Sequence, residues 1–122
     1  MGLLTRLKRP ARGGASKYGN QVLMVGGERF DSKKELIRYQ QLCLLQRAGE
    51  ISGLQRQVRY ELIPAQRSAS GHKEQPVAYI ADHVYQEGGS TVVEDAKGYR
   101  TADYIIKRKL MLQVYGIVIK EV

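Results

Sequence analysis

The sequence predicts a mixed α/β sheet flanked by helices, and three features predict it. Two Gly-Gly pairs, Gly26-Gly27 and Gly88-Gly89, each separate short runs of β-branched and aromatic residues, the pattern of antiparallel hairpins. Two stretches with apolar residues at helical spacing lie between a hydroxyl cap and a closing glycine, one bracketed by Ser32 and Gly49, the other by Thr101 and Gly116. A last apolar run, residues 117–122, follows the second helix, and a strand-helix-strand crossover of that length sets it parallel in the same sheet with a right-handed connection. At 122 residues and 43% hydrophobic, the chain reads as one domain over residues 20–122 behind an arm of residues 1–19.

The arm is rich in Gly, Arg and Lys and has no period, so a mobile basic segment is expected. Residues 21–25 and 28–30 form the first hairpin. Ser32 then caps the first helix, and Glu35 stands three residues on, where it can reach back to complete a capping box. Leu36, Tyr39, Leu42, Cys43 and Leu45 or Gln46 make that helix's apolar side, and Glu35 shares the side of Tyr39 and Leu42. Glu35 therefore has two readings, a cap and a core-edge acid. Residues 57–63 alternate as a strand with Val58, Tyr60 and Leu62 inward and Glu61 at the surface. Residues 64–76 read as a loop, with His72 exposed in it. In the second helix, residues 102–115, the apolar side is read as Ile105, Ile106, Leu110, Met111, Leu112 and Val114, with Lys107, Arg108 and Lys109 partly across the exposed face.

The second hairpin carries the chemistry. A two-residue Gly88-Gly89 loop puts Glu87 opposite Ser90, hence Tyr85 opposite Val92, His83 opposite Glu94, and Asp82 opposite Asp95. Strict alternation places Asp82, Asp95 and Lys97 on one face with Ile80, Val84 and Val93, and Glu94 on the other with His83 as its cross-strand partner. Carboxylates facing each other across a ladder repel, and a divalent cation is the natural partner for such a pair. The tripeptide Asp95-Ala96-Lys97 is weak alone, since Asp31-Ser32-Lys33 repeats its form by chance. Its position at the end of a central strand, paired with a second Asp and preceded by a capped helix, is what distinguishes it.

Lys and Arg outnumber Asp and Glu by 20 to 12, for a net charge of +8. The excess gathers at Arg6, Lys8, Arg9, Arg12 and Lys17, where no acid intervenes, and at Arg100, Lys107, Arg108 and Lys109. Clustered positive charge of this kind suits a polyanion such as DNA. One cysteine, Cys43, excludes a disulfide framework and fits a reducing cytoplasm. No run approaches the roughly 18 apolar residues of a membrane span, and neither histidine has zinc-ligand spacing.

The order Glu35, Asp82, then Asp95-Ala96-Lys97 resembles the PD-(D/E)XK nuclease superfamily over most of residues 20–122. More narrowly, Lys-Tyr-Gly-Asn at 17–20, Phe-Asp-Ser-Lys-Lys-Glu at 30–35, Tyr-Ile-Ala-Asp at 79–82 and Val-Glu-Asp-Ala-Lys-Gly at 93–98 are similar to a small phage and prophage family of presumed endonucleases. Ala81 stands where the superfamily's name motif has Pro. The resemblance implies a restriction-endonuclease-like core and Mg²⁺- or Mn²⁺-dependent hydrolysis of DNA phosphodiesters, including branched or junction DNA, in a host-cell cytoplasm. It implies Asp82, Asp95, the Ala96 carbonyl and Glu35 as metal ligands and Lys97 beside the attacking water; Glu94, put on the other face by alternation, is expected to be dispensable. A homodimer is expected where two strands are cut. The alternatives are a non-catalytic nucleic-acid-binding protein of the same fold, or a nuclease subunit active only with a phage replication or packaging partner.

Overall fold

Both glycine pairs make the turns that their sequences predict: Gly26 and Gly27 have φ of 59° and 81°, and Gly88 and Gly89 have 58° and 81°. Two successive left-handed residues match the twist of antiparallel strands, and glycine adopts them without steric penalty. The computed structural model describes residues 22–96 and 100–122, together with the backbone of Thr5–Arg6. The first glycine pair joins β2 (Leu23–Val25) to β3 (Glu28–Phe30), and the second joins β7 (Val77–Glu87) to β8 (Ser90–Asp95). In the second hairpin Glu87 pairs with Ser90, Tyr85 with Val92 and His83 with Glu94, the register set by the turn.

The central sheet has the order β4-β7-β8-β9, with β4 (Ser52–Ile63) antiparallel to β7 and β9 (Lys120–Glu121) parallel to β8. It is a mixed sheet with a helix on each face, an α+β fold. On one face α2 (Ala102–Tyr115) buries Tyr104 and Met111 against Leu62, Tyr79, Ala81, Val84, Val93 and Ile119. On the other, α1 (Lys33–Arg47) sets Leu42 against Ile51 and Tyr85, and its first turns clamp the β2–β3 hairpin through Leu36, Leu23 and Phe30. Each such aliphatic or aromatic side chain is worth about 1.5–3 kcal/mol on burial. Both caps form: Ser32 Oγ accepts from Glu35 N at 3.1 Å and Thr101 Oγ1 from Tyr104 N at 3.2 Å. Gly49 and Gly116 are left-handed just past the helix ends.

Several elements differ from their sequence reading. Thr5–Arg6, placed in the aperiodic arm, form β1 and pair antiparallel with Met24 and Leu23. Strand β4 begins at Ser52, five residues before the alternation becomes regular at Gln57. The stretch read as an open loop folds into a small hairpin, β5 (Gln66–Arg67) on β6 (Lys73–Glu74), closed by Ser68 N to His72 O at 2.8 Å and by a left-handed Gly71. In α2 the buried line runs through Tyr104 and Met111, seven residues apart, which turns Ile106, Leu112 and Val114 outward at 58, 54 and 49% exposure. The last strand shortens to Lys120–Glu121, with Ile119 buried before it. Among the described residues no helix is long and apolar enough to cross a membrane.

Candidate functional site

The alternation assumed for the second hairpin breaks at Asp82. Tyr79 and Ala81 face α2, and so does Val84, three residues beyond Ala81, whereas His83 and Tyr85 face α1. Perfect period two would put Ala81 and Val84 on opposite faces. The partner strand is distorted at the same level. Arg56 pairs with His83 and Val58 with Ala81, so Gln57 lies across from Asp82, and Gln57 has φ of 54°. It is the only non-glycine residue with positive φ among the described residues. Ile80, expected on the acidic face with Asp82, is 39% exposed, while Asp82 is 1% exposed.

The break aims Asp82 toward α1. Its Oδ2 accepts from Ala96 N at 2.8 Å, and its Oδ1 lies 3.4 Å from Gln57 Nε2. That same nitrogen donates to Glu35 Oε1 at 3.1 Å, and Arg56 Nη2 donates to the same oxygen at 2.9 Å. Glu35 is 2% exposed. Its carboxylate takes donors from β4 and does not close a capping box, so the core-edge reading of this acid is the correct one. Burial, and then the charge of Asp82, raise its pKa above the usual carboxylate range against the pull of Arg56. Asp95 turns to the α2 side, where Tyr79 Oη donates to its Oδ2 at 2.7 Å. The Tyr79 hydroxyl is held protonated, first by burial and then by Asp95, with Asp82 adding to the effect. Asp82 thus shares a donor with Glu35, and Asp95 is held separately by Tyr79. Among the described residues no three Asp, Glu, His or Cys side chains converge on one point as a ready metal cluster. Lys97 lies outside the described residues.

Asp95, Tyr79, Ile80, Tyr104 and Lys107 line an open cleft of about 210 Å³. Lys107 is the member of the second basic cluster that reaches the acidic site. Arg100 and Arg108 instead hold Glu121, at 3.0 and 2.9 Å, with Tyr104 Oη at 2.7 Å. These donors, the tyrosine hydroxyl foremost, hold Glu121 down at a pKa of about 2. Lys109 is exposed. Arg6 enters β1 through its backbone, and Lys8, Arg9, Arg12 and Lys17 lie outside the described residues.

Sequence reasoning missed Gln57, Arg56 and Tyr79, because nothing local marks a residue whose partner lies on another strand or helix. It also missed the far face of the hairpin. Glu94 does point away from Asp95, yet it is 0% exposed and holds Arg38 through both oxygens, Nε to Oε1 at 2.9 Å and Nη2 to Oε2 at 2.6 Å, while accepting from Tyr85 Oη. The Tyr85 hydroxyl is pushed up to about 12 by its burial and by Glu94. His83 stacks on Tyr39 with ring centroids 6.0 Å apart, fully buried, and neither ring nitrogen has a hydrogen-bond partner. Burial lowers its pKa to about 4, with Arg56 and Arg38 assisting and Glu94 opposing, so its 3.8 Å approach to Glu94 joins a neutral ring to a carboxylate.

A histidine kept neutral in the fold takes up a proton on unfolding, so its contribution to stability is lost as pH falls from about 6.5 toward 4. The wild type is expected to lose up to about 1.4 kcal/mol per pH unit in that window from this one group. Thermal melts of wild type and His83→Leu between pH 7 and 4 check it: the variant's pH dependence should be flatter by one proton. Parallel curves would mean that His83 titrates normally.

The sequence model of a family described as "Protein of unknown function (DUF1064)" matches residues 15–120. The chain belongs to that family. No curated protein and no solved structure matches it. The DUF1064 match takes in Glu35, Gln57, Asp82, Asp95, Ala96 and Lys97, along with both helices and the three long strands. It begins at residue 15, inside the stretch read as arm.

Proposed function

We propose that the protein is a metal-dependent endonuclease of the PD-(D/E)XK kind, acting on DNA. The observation that carries this reading is the junction of Glu35 and Asp82. Two carboxylates, 2% and 1% exposed, are gathered on a single amide nitrogen at the point where a central strand breaks its alternation. A buried acid whose pKa is raised by burial and by a second buried acid is a poor way to stabilise a fold and a common way to build a site. The donor set fits a hard divalent ion: carboxylate oxygens from Glu35, Asp82 and Asp95 with the Ala96 carbonyl, and an uncharged N–H standing where a cation's charge would be satisfied.

Glu35, Asp82, Asp95 and Ala96 would hold Mg²⁺ or Mn²⁺, which when bound lowers the pKa of a water and polarises the phosphate. Arg56, already on Glu35, pulls that carboxyl's pKa down against the burial and the Asp82 charge that raise it. Tyr79 orients Asp95 by donating to its Oδ2. Lys97 would orient the attacking water or offset charge developing on the phosphate. Lys107, on the wall of the Asp95 cleft, is placed to meet the phosphate backbone. Lys109 and the basic residues of the arm would add salt-sensitive, sequence-independent grip, and Arg100 and Arg108 would do so only by competing with Glu121.

The test is a panel of labelled duplex, nicked, flap and four-way-junction DNA, with matched RNA, incubated with the protein in Mg²⁺, Mn²⁺ or EDTA. Cleavage of at least one substrate in metal and none in EDTA is expected, with duplex cutting accompanied by a dimer in sedimentation. DNA binding without cleavage of any substrate would turn the assignment to a non-catalytic binding protein. Cutting that appears only when phage replication or packaging proteins are added would make the chain a nuclease subunit.

A further inference from the structure

Gln57 does two costly things at once. A non-glycine side chain at φ of 54° crowds its own backbone, and such positions persist where the surroundings require them. Its amide is also placed between two buried carboxylates, Nε2 lying 3.1 Å from Glu35 Oε1 and 3.4 Å from Asp82 Oδ1. An amide nitrogen has two hydrogens, one for each acid. The two features are linked, because the left-handed turn interrupts β4 directly across from the residue at which β7 breaks its own alternation. An extended residue at 57 would continue the pleat, and its side chain would follow the regular alternation of Val58 and Tyr60.

We propose that Gln57 is a positioning residue of the acidic site: its amide bridge gathers the Glu35 and Asp82 carboxylates around one point, so that a divalent cation meets a preassembled pair. The inference rests on the reading of these acids as cation ligands. Without the bridge, the two carboxyl groups would lose the amide donor that they share, and a cation would have to bring their oxygens to one point at its own expense. Arg56 does not replace it, since its guanidinium reaches Glu35 and stacks on Phe30 at 3.8 Å.

Two variants separate the amide from the backbone. Gln57→Gly accepts the left-handed conformation and removes the bridge. Gln57→Asn also tolerates positive φ but is one methylene too short to span both acids. Mn²⁺ binding is followed by the loss of free-ion paramagnetic resonance signal, alongside the thermal midpoint in EDTA and in Mn²⁺. Both variants are expected to stay folded in EDTA and to bind Mn²⁺ about tenfold or more weakly than wild type, the usual scale for a residue that orients metal ligands. The rise in midpoint on adding Mn²⁺ should shrink to match. Wild-type affinity in a folded variant would overturn the role of Gln57 and leave the site standing. If wild type itself binds no Mn²⁺, the cation reading fails and this inference with it.

Discussion

Asp82→Asn is expected to lower metal-dependent DNA cleavage by about a hundredfold or more, the scale on which single preorganised electrostatic contacts act, while leaving the protein folded. The structure explains why both halves should hold. Asparagine keeps an oxygen to accept from Ala96 N, the 2.8 Å bond that ties Asp82 to the end of β8, so the hairpin retains its closure. What disappears is one of the two buried acids that face Gln57, and with it the repulsion that helps to raise the Glu35 pKa. Relieving that repulsion should raise the unfolding midpoint in EDTA slightly, by a contribution of roughly 0.2–1 kcal/mol. Mn²⁺ should then stabilise the wild type and scarcely affect the variant. Asp95→Asn should match it in cleavage but not in stability, because Tyr79 donates to the Asp95 carboxylate at 2.7 Å and the substitution weakens that bond. A drop of more than about 1 kcal/mol for Asp82→Asn in EDTA, with an unchanged response to Mn²⁺, would make Asp82 a structural residue.

The parts of this fold that were legible in the sequence are those decided by neighbours in the chain. Gly26-Gly27 and Gly88-Gly89 dictate turns and hence registers, and Ser32, Thr101, Gly49 and Gly116 dictate where helices begin and end. Each is a local event involving one backbone conformation or one hydrogen bond. The positions of two acids were legible for the same reason: a defined turn counts outward from Ser90 to Asp95, and a capped helix carries Glu35. What could not be read was the break at Asp82. Period-two reasoning assumes an unbroken pleat, and the departure lies across from the left-handed Gln57 on another strand, 25 residues away in the chain. The same limit hid Tyr79 beneath Asp95, and it misdirected the buried side of α2, where hydropathy favours Ile106 and Leu112 but packing selects Tyr104 and Met111. It also left Glu94 looking idle. Alternation places that residue correctly on the far face and says nothing about Arg38, 56 residues distant.

Arg38→Ala is expected to produce the largest stability loss of any single substitution considered for this chain, about 3–5 kcal/mol, because it strands a fully buried carboxylate. Glu94 is 0% exposed, and Arg38 meets both of its oxygens in a forked pair. Burial alone would raise the pKa of Glu94; Arg38 and Tyr85 outweigh burial and hold it below the ordinary value of 4.5. A carboxylate held low stabilises the fold above its ordinary pKa, and the contribution is lost as pH falls through the lowered one. In Arg38→Ala, the remaining cation near Glu94 among the described residues is Lys120, at 3.9 Å and half exposed, too distant and too hydrated to compensate. The midpoint should fall by roughly 10 °C or more, given the few degrees that each kcal/mol shifts in a domain of this size. Glu94→Gln should cost less, since Arg38 is 22% exposed and can turn to water while Tyr85 keeps a partner. Replacing both, as Arg38→Met with Glu94→Leu, should recover most of the loss, because apolar substitutes for a buried pair often match it. Thermal melts of the three variants at pH 7 decide the matter, and a loss under about 1 kcal/mol for Arg38→Ala would show that water reaches Glu94. Mn²⁺ binding per folded molecule should be unchanged throughout, since the Glu94 carboxylate meets Arg38 and Tyr85, whereas Glu35 and Asp82 meet at Gln57 and Asp95 meets Tyr79. If Glu94→Gln weakened it as much as Asp82→Asn does, Glu94 would have to be counted among the residues of the site.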